Sequence, residues 1–401
     1  MSSPFDEAKY NALLKGLEVS VVKFSELKTE NGKWRIDSDY FSKEYLLLEN
    51  QLCKYGSIKL VDLCKQITDF GAFSQTNFVE FLDSGVLFLR NQDVKESYIN
   101  RSDNVFVSKE VYSRLTLHLQ ENDIVIPRVG TLGNAAMITK NMLPCTANQN
   151  LAVIRLRDKA FNPYAVIMTL VSNIGKSQIY RTSTGNVQQW LNLEAIGSLQ
   201  IPNFSTDFQQ KIESLVKSAH AKLAESKSLY AQAEDTLLCE LGLKDWQPKN
   251  EAVSIKSFSD FASSGRLDAE YYQSKYDEIE NAIKTYKGGC NIVSNLFSQN
   301  IDVCDYKENA YNYIEIGDVN TGDGSASFNL VETDELPDNA QRVVHFGDVL
   351  ISKVRPYRGA VAIINFEAEN LIASGAFTTL HEKSDYKKEV LQVLLRTQIY
   401  K

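Results

Sequence analysis

Between positions 207 and 241 the chain contains neither Pro nor Gly. Phe208, Ile212, Leu215, Ala219, Leu223, Ser226, Tyr230, Ala233 and Leu237 recur there every three or four residues among mixed charges. That period is one stripe of an α-helix, so the segment reads as a single long helix, and about 35 residues rising ~1.5 Å each make a rod of roughly 50 Å. A rod of that length exceeds what one small domain covers, so a helical partner is expected along the stripe. Pro202 stops the strand before it, and Ser205 or Thr206 is placed to cap it. Gly242-Leu243 and a polar, Pro-containing linker over 244–251 follow.

On both sides of this rod the pattern is mixed. Helical spacing predicts helices over 40–52 and 163–178 before it, and over 271–284 and 387–395 after it. Short alternating strands separated by Gly/Asn/Asp turns, such as Gly130-Thr131-Leu132-Gly133-Asn134 and Asn320-Thr321-Gly322-Asp323-Gly324, fill the intervals. Helices do not alternate regularly with strands, so the fold class is α+β and not a doubly wound sheet.

The two sides echo each other. Trp34-Arg35-Ile36-Asp37-Ser38-Asp39-Tyr40-Phe41 and Gly265-Arg266-Leu267-Asp268-Ala269-Glu270-Tyr271-Tyr272 share Arg, aliphatic, Asp, small, acid, Tyr, aromatic, each opening an amphipathic helical stretch. Val86 to Val94 and Asn312 to Val319 are apolar strands ending in Asp-Val, with Asp93 and Asp318 225 positions apart (318 − 93). Asn122-Asp123-Ile124-Val125-Ile126-Pro127-Arg128-Val129-Gly130 and Gly347-Asp348-Val349-Leu350-Ile351-Ser352-Lys353-Val354-Arg355 are separated by the same 225 (348 − 123). Three blocks in one order at one spacing predict two repeated α/β domains with short-stranded sheets, joined by a long coiled-coil-type helix. The boundaries are 1–205 for the first domain, 206–243 for the helix, 244–262 for a linker and 263–401 for the second domain.

Composition narrows the classes. The 401 residues carry 43 Lys+Arg against 51 Asp+Glu, a net charge of -8, with 43% apolar and 10% aromatic residues, enough for two or three domains with sizeable cores. No apolar run reaches membrane-spanning length and the start lacks a signal-peptide pattern, so the expected place is the cytoplasm, without membrane contact. Cys53, Cys64, Cys145, Cys239, Cys290 and Cys304 form no C-x-x-C pair, and His118, His220, His345 and His381 are scattered. Buried reduced thiols, and neither a metal site nor a catalytic base, are expected. The acidic balance argues against a stand-alone nucleic-acid binder and leaves room for local basic clusters or positively charged partners.

Two motifs resolve to structural readings. Phe161-Asn162-Pro163-Tyr164 lacks the second Pro of an adenine-binding Asn-Pro-Pro-aromatic motif, so Pro163 is read as the first turn of a helix. Asp348 with Lys353 lacks the neighbouring carboxylate of a metal nuclease, and Asp123 repeats it without the lysine, so both aspartates are read as turn caps. A phosphate-binding G-x-x-x-x-G-K-[ST] loop is missing, so nucleotide-driven motion would belong to a partner.

Taken in order, these pieces resemble the specificity subunits of type I restriction-modification systems. The resemblance rests on the Arg-x-Asp-x-x-Tyr openings, the strand-Asp turns at Asp93 and Asp318, and the Asp123 and Asp348 strands running into a Gly-containing turn. It continues through Ser183-Thr184-Gly185-Asn186-Val187-Gln188-Gln189-Trp190-Leu191, which is similar to the family's Gly-x-x-Gln region, and through Gln209-Gln210-Lys211-Ile212 at the helix start. It implies two target-recognition domains, each reading one half of a bipartite double-stranded DNA target. It also implies a non-catalytic chain that docks modification (methyltransferase) subunits and a restriction (motor-nuclease) subunit. S-adenosylmethionine, ATP and Mg would be held by those partners and no cofactor by this chain. Aligning Ile399-Tyr400-Lys401 with Ile179-Tyr180-Arg181 implies a second half truncated before its own helix, with a homodimer as one way to supply the missing helix.

Base edges are read by Arg, Lys, Asn and Gln. The expected DNA-facing residues are Arg90, Asn91, Gln92, Arg128, Gln149 and Asn150 in the first half, and Lys353, Arg355, Tyr357 and Arg358 in the second. Ile212, Leu215, Ala219, Leu223, Tyr230 and Leu237 are the expected partner-docking stripe. Other classes compatible with the sequence are the recognition portion of a fused restriction-methylation enzyme and a coiled-coil scaffold without a DNA role.

Overall fold

The computed structural model describes residues 6–17, 19–27, 34–71, 79–101, 104–157, 161–185, 188–247 and 253–399. The chain divides into two compact units, Met1–Ala221 and Lys222–Lys401. The helix predicted from the apolar stripe is present as one element, Thr206–Glu240, with the Ser205 hydroxyl accepting from the Phe208 N–H at 3.4 Å at its start.

In the first unit a two-stranded ribbon pairs β1 (Ser57–Lys59) with β9 (Gln200–Pro202). An antiparallel sheet orders β2 (Cys64–Asp69), β8 (Leu151–Leu156), β5 (Ile124–Pro127) and β6 (Ala136–Met137). A second sheet places β3 (Val86–Leu89) between antiparallel β4 (Val105–Val107) and parallel β7 (Cys145–Ala147). Successive side chains of a strand point to opposite faces. Ile124 and Ile126 therefore enter the core that holds Ala165, Val166 and Leu170 of a helix, while Val125 joins the core under β3 and β7. Layers on both faces explain why β5 is apolar at every position instead of alternating, and each such side chain contributes about 1.5–3 kcal/mol by leaving water.

The second unit orders β10 (Phe297–Asn300), β17 (Phe377–Glu382), β14 (Val349–Ser352) and β15 (Val361–Ile363) in one antiparallel sheet. The other sheet runs β12 (Asn329–Glu332), β11 (Ala310–Ile314), β16 (Leu371–Ser374) and β13 (Ala340–Val343), with β11 and β16 parallel. Val349 packs with Leu391 of the Lys388–Arg396 helix, and Leu350 packs on the opposite face.

Local chemistry matches between the units. The Arg35 guanidinium grips Asp37 through two bonds of 2.7 Å and lies 4.4 Å from the Tyr40 ring centre, while Asp37 also caps the Tyr40 N–H. Arg266 grips Asp268 at 2.7 and 2.9 Å and lies 4.5 Å from the Tyr271 ring. Arg-x-Asp-x-x-Tyr is thus one closed turn in which each of the three types is required. The Asp37 carboxyl sits below the usual carboxylate range through its hydrogen bonds to Arg35, and Asp268 likewise through Arg266.

Asp123 and Asp348 both cap a preceding backbone N–H, of Gln120 at 2.7 Å and of His345 at 3.0 Å, and both are buried. Their charge partners differ. Asp123 receives Arg155 through two bonds of 2.7 Å, whereas Asp348 receives the His381 ring nitrogen at 3.0 Å and the Asn300 amide at 3.2 Å. Arg155 and His381 hold the same place, opposite Gln66 of β2 and Ser298 of β10. A guanidinium offers a planar fork of donors to both carboxylate oxygens, as Arg155 does to Asp123, where the imidazole offers Asp348 one ring nitrogen. His381→Arg is therefore expected to raise the stability of the second unit at neutral pH by about 1 kcal/mol, measured by denaturant unfolding followed by hydrogen exchange at β14 and β17. A lower stability would contradict the equivalence of the two places.

Some expectations shift. The helix predicted over 163–178 breaks at Ser172 into Pro163–Val171 and Asn173–Thr182, because the chain turns and Gly175 packs against the backbone of Thr169 and Leu170, where a Cβ would lie 2.3 Å from a carbonyl oxygen. Helices expected from 40 and 271 begin at Lys43 and Ser274, since the Asp37 and Asp268 turns occupy the preceding residues. Phe258–Ser264, which spans the end of the expected 244–262 linker, is a helix opened by a Ser257/Asp260 capping box. Of the six free thiols Cys53, Cys239 and Cys290 are exposed, contrary to the expectation of burial, because they lie on outward helix or loop positions.

Candidate nucleic-acid interface

In the first unit the parallel strands β3 and β7 end side by side, so the residues after each are delivered to one place. The Asn148 N–H donates to Leu89 O at 2.9 Å, the Arg128 N–H to Asn150 O at 2.8 Å, and the Asn91 side-chain amide to Val129 O at 2.9 Å. The result is a cleft of about 640 Å³. Arg90, Asn91, Gln92, Gln149 and Asn150, widely separated in sequence, all line it, together with Phe81, Asn148 and Gln188, which the sequence reading did not select. Asn148 supports the cleft by accepting the Asn150 N–H at 3.2 Å. Phe81 carried no local signal, as only the fold brings it to the cleft, whereas Gln188 is the Gln of the Gly-x-x-Gln segment, noted in the sequence but not selected as DNA-facing. Asn186 and Val187 of the Gly-x-x-Gln segment lie outside the described residues.

The cleft side chains are not equally available. Arg90 closes a capping box with buried Asp93, Nη2 to Oδ1 at 3.0 Å and Nε to Oδ2 at 3.2 Å. The Asn91 Oδ1 is buried without a donor. The side-chain amides of Gln149, Asn150 and Gln188 have no partner among the described residues, and such groups donate and accept at once.

Arg128 departs from its expected loop exposure. It is 9% exposed, ion-paired with Asp69, bonded through Nε to Leu191 O at 3.2 Å and stacked 4.4 Å from the Trp190 ring. Asp69 and Trp190 lie far from it in sequence, and together they turn the guanidinium inward, where it pins the segment around Trp190 to the end of β5.

In the second unit β14 ends in Ser352, and Lys353, Arg355, Tyr357 and Arg358 follow in an exposed turn. Arg355 is held at φ 50°, ψ 58°, in the left-handed region, before a single 3-10 turn over Pro356–Arg358. The side chains of Lys353, Arg355 and Arg358 have no hydrogen-bond or ion-pair partner among the described residues, and Tyr357 is 57% exposed. These are free cations beside a free aromatic face, a set suited to phosphate oxygens, base edges and stacking.

No residue of the long helix is buried. Leu215 is 60% exposed and Ala219 exposed, while Ile212, Leu223 and Leu237 are half-buried. Tyr230 is engaged within the second unit, its ring 4.4 Å beneath the Arg396 guanidinium and its hydroxyl buried, with burial pushing its pKa up.

Among the described residues no group of His, Cys, Asp and Glu is arranged to hold a metal, and no helix is long and apolar enough to cross a membrane. Burial pushes the Cys64 and Cys145 thiols up to about 12, which keeps them protonated and unreactive. Asn162 caps the helix that Pro163 begins, accepting the Tyr164 N–H at 2.9 Å.

No family model matches the chain, and no curated protein matches it. Solved structures do. One, concerned with complex assembly and conformational transition of a type I R-M system, matches at 12% identity over 85% of this chain and 78% of that one, with a TM-score of 0.33. The HsdS subunit from Thermoanaerobacter tengcongensis matches at 13% identity over 85% and 78%, with a TM-score of 0.32. The S subunit of a type I restriction-modification system from M. genitalium matches at 10% identity over 86% and 76%, with a TM-score of 0.35. The chain is thus similar, at low identity and low TM-score, to S subunits of type I restriction-modification systems.

Proposed function

We propose that this chain is a non-catalytic DNA sequence-recognition subunit of a type I restriction-modification complex, reading a bipartite target with its two units. The observation that supports this best is the pair of polar strand ends. The half-buried amides of Gln149 and Asn150 follow β7 beside the first-unit cleft, and the exposed cations of the second-unit turn follow β14, neither set having a partner among the described residues. Correspondence of sheet order, of the parallel central pair and of the Arg-x-Asp-x-x-Tyr turns supports an internal duplication, and a duplicated reader suits a two-part target. The exposed face of the long helix, with Leu215 and Ala219, suits docking of methyltransferase subunits, which would hold S-adenosylmethionine. A motor-nuclease subunit would supply ATP- and Mg-dependent chemistry.

The test is a methylation map of DNA from cells expressing the chain with its neighbouring modification subunit, against the modification subunit alone. A new bipartite methylated motif is expected. Two different half-sites mean that both units read, and a palindrome means one unit acting twice in a homodimer. A soluble complex that adds no methylation would refute the reading.

A further inference from the structure

Building on the DNA-recognition reading, we propose that the two units read different bases with different chemistry. In the second unit Arg355 reads a guanine, and in the first unit the amides of Gln149 and Asn150 read an adenine.

The inference comes from comparing corresponding positions. The Arg128 N–H bonds Asn150 O at 2.8 Å, and the Lys353 N–H bonds Ala376 O at 2.9 Å, which aligns the strand exits of the two units. The Asn148 side chain accepts the N–H two residues on at 3.2 Å, and the Ser374 hydroxyl does the same for Ala376 at 3.2 Å. Gln149 and Asn150 therefore correspond to Gly375 and Ala376, 226 positions on (376 − 150), so the second unit has no amides there. Arg355 corresponds to Gly130, 225 positions back (355 − 130), and both have positive φ, 50° and 79°.

Glycine accepts that conformation without cost, whereas a residue with a Cβ is strained in it. The first unit shows that the turn needs no side chain there. The second unit nevertheless keeps an arginine in the strained position, exposed and unpaired, so its value lies outside the chain. In the first unit the cation of this turn is Arg128, which corresponds to Lys353 and is buried in an ion pair with Asp69. A guanidinium fork matches the O6 and N7 acceptors of guanine, and a carboxamide matches the N7 acceptor and N6 donor of adenine. Lys353 and Arg358, as flanking charges, suit backbone phosphates.

The full chain, in complex with its neighbouring modification subunit, is to be offered a duplex DNA library with a randomised segment, and the sequences retained beyond those held by the modification subunit alone are read. The wild type is expected to retain two half-sites, one with a fixed guanine and one with a fixed adenine. Arg355→Gly is expected to lose the guanine preference by roughly tenfold or more while keeping the adenine half. Its thermal stability should match or exceed wild type, since the strain is relieved, which separates lost reading from lost folding. Arg355→Lys, which keeps the charge but not the planar fork, should hold a guanine preference weaker than wild type and stronger than Arg355→Gly. If Arg355→Gly selects the same guanine, this division of labour is overturned while DNA recognition stands. If the wild type retains no sequence, both readings fail.

Discussion

Arg155→Leu is expected to destabilise the first unit by about 3 kcal/mol. Asp123 is 1% exposed and its carboxylate is held by two 2.7 Å bonds from Arg155 and one from the Gln120 N–H. Removing the guanidinium leaves a buried anion with a single backbone donor, and breaking such a pair costs roughly 3–5 kcal/mol. The low end applies because the Arg155 side chain is 22% exposed, so water reaches part of the pair. Hydrogen bonding to Asp123 holds the Arg155 pKa up, in line with a strong native interaction. The measurement is denaturant unfolding of the full chain with hydrogen exchange at β5 and β8. The double change Asp123→Leu with Arg155→Leu should recover most of the loss, since no charge is then stranded. A single-variant loss under about 1 kcal/mol would show that the carboxylate finds solvent and that the pair does not anchor β5.

Replacing Gln149 and Asn150 together by Ala is expected to abolish reading of the first half-site while leaving the fold intact. Both side chains line the cleft and have no partner within the described residues, so truncation strands no donor or acceptor inside the protein. A bidentate base contact contributes about 1–3 kcal/mol of discrimination, so losing the adenine contact weakens the preferred half-site by roughly fivefold to somewhat over a hundredfold. Methylation mapping should show the first half-site degenerate and the second unchanged, with unfolding curves equal to wild type. An unchanged first half-site would place base reading elsewhere, on Gln92 or Gln188.

The contrast between Gln149 and Arg128 shows how far residues can be read for function before their neighbours are known. Both are polar side chains beside Gly- or Asn-containing turns, and the sequence treats them alike. Gln149 lies on the rim of the cleft, whereas Arg128 meets Asp69, 59 positions away, and Trp190, and is removed from the surface. Likewise Asp123 and Asp348 were legible as caps, because a cap is local, and their burial and different charge partners were not.

By itself the sequence determined the long helix, at its start to the residue and at its end to within three residues of the 206–243 boundary, because a 3.6-residue stripe without Gly or Pro leaves the backbone no competing local minimum. It also determined the strand-Asp turns, in which every bonding partner lies within a few residues, while the Arg-x-Asp-x-x-Tyr segments, read as helix openings, are closed turns just before their helices. Only the tertiary structure decided which strands pair in parallel, where the helix predicted over 163–178 breaks, and which polar side chains stand free. Those outcomes depend on contacts between residues tens of positions apart, such as the alignment of Leu89 with Ala147 that opens the cleft and the reach of Asp69 that closes off Arg128. Local propensity does not encode them. They are settled when burial of the β5 and β14 faces fixes the register of each sheet.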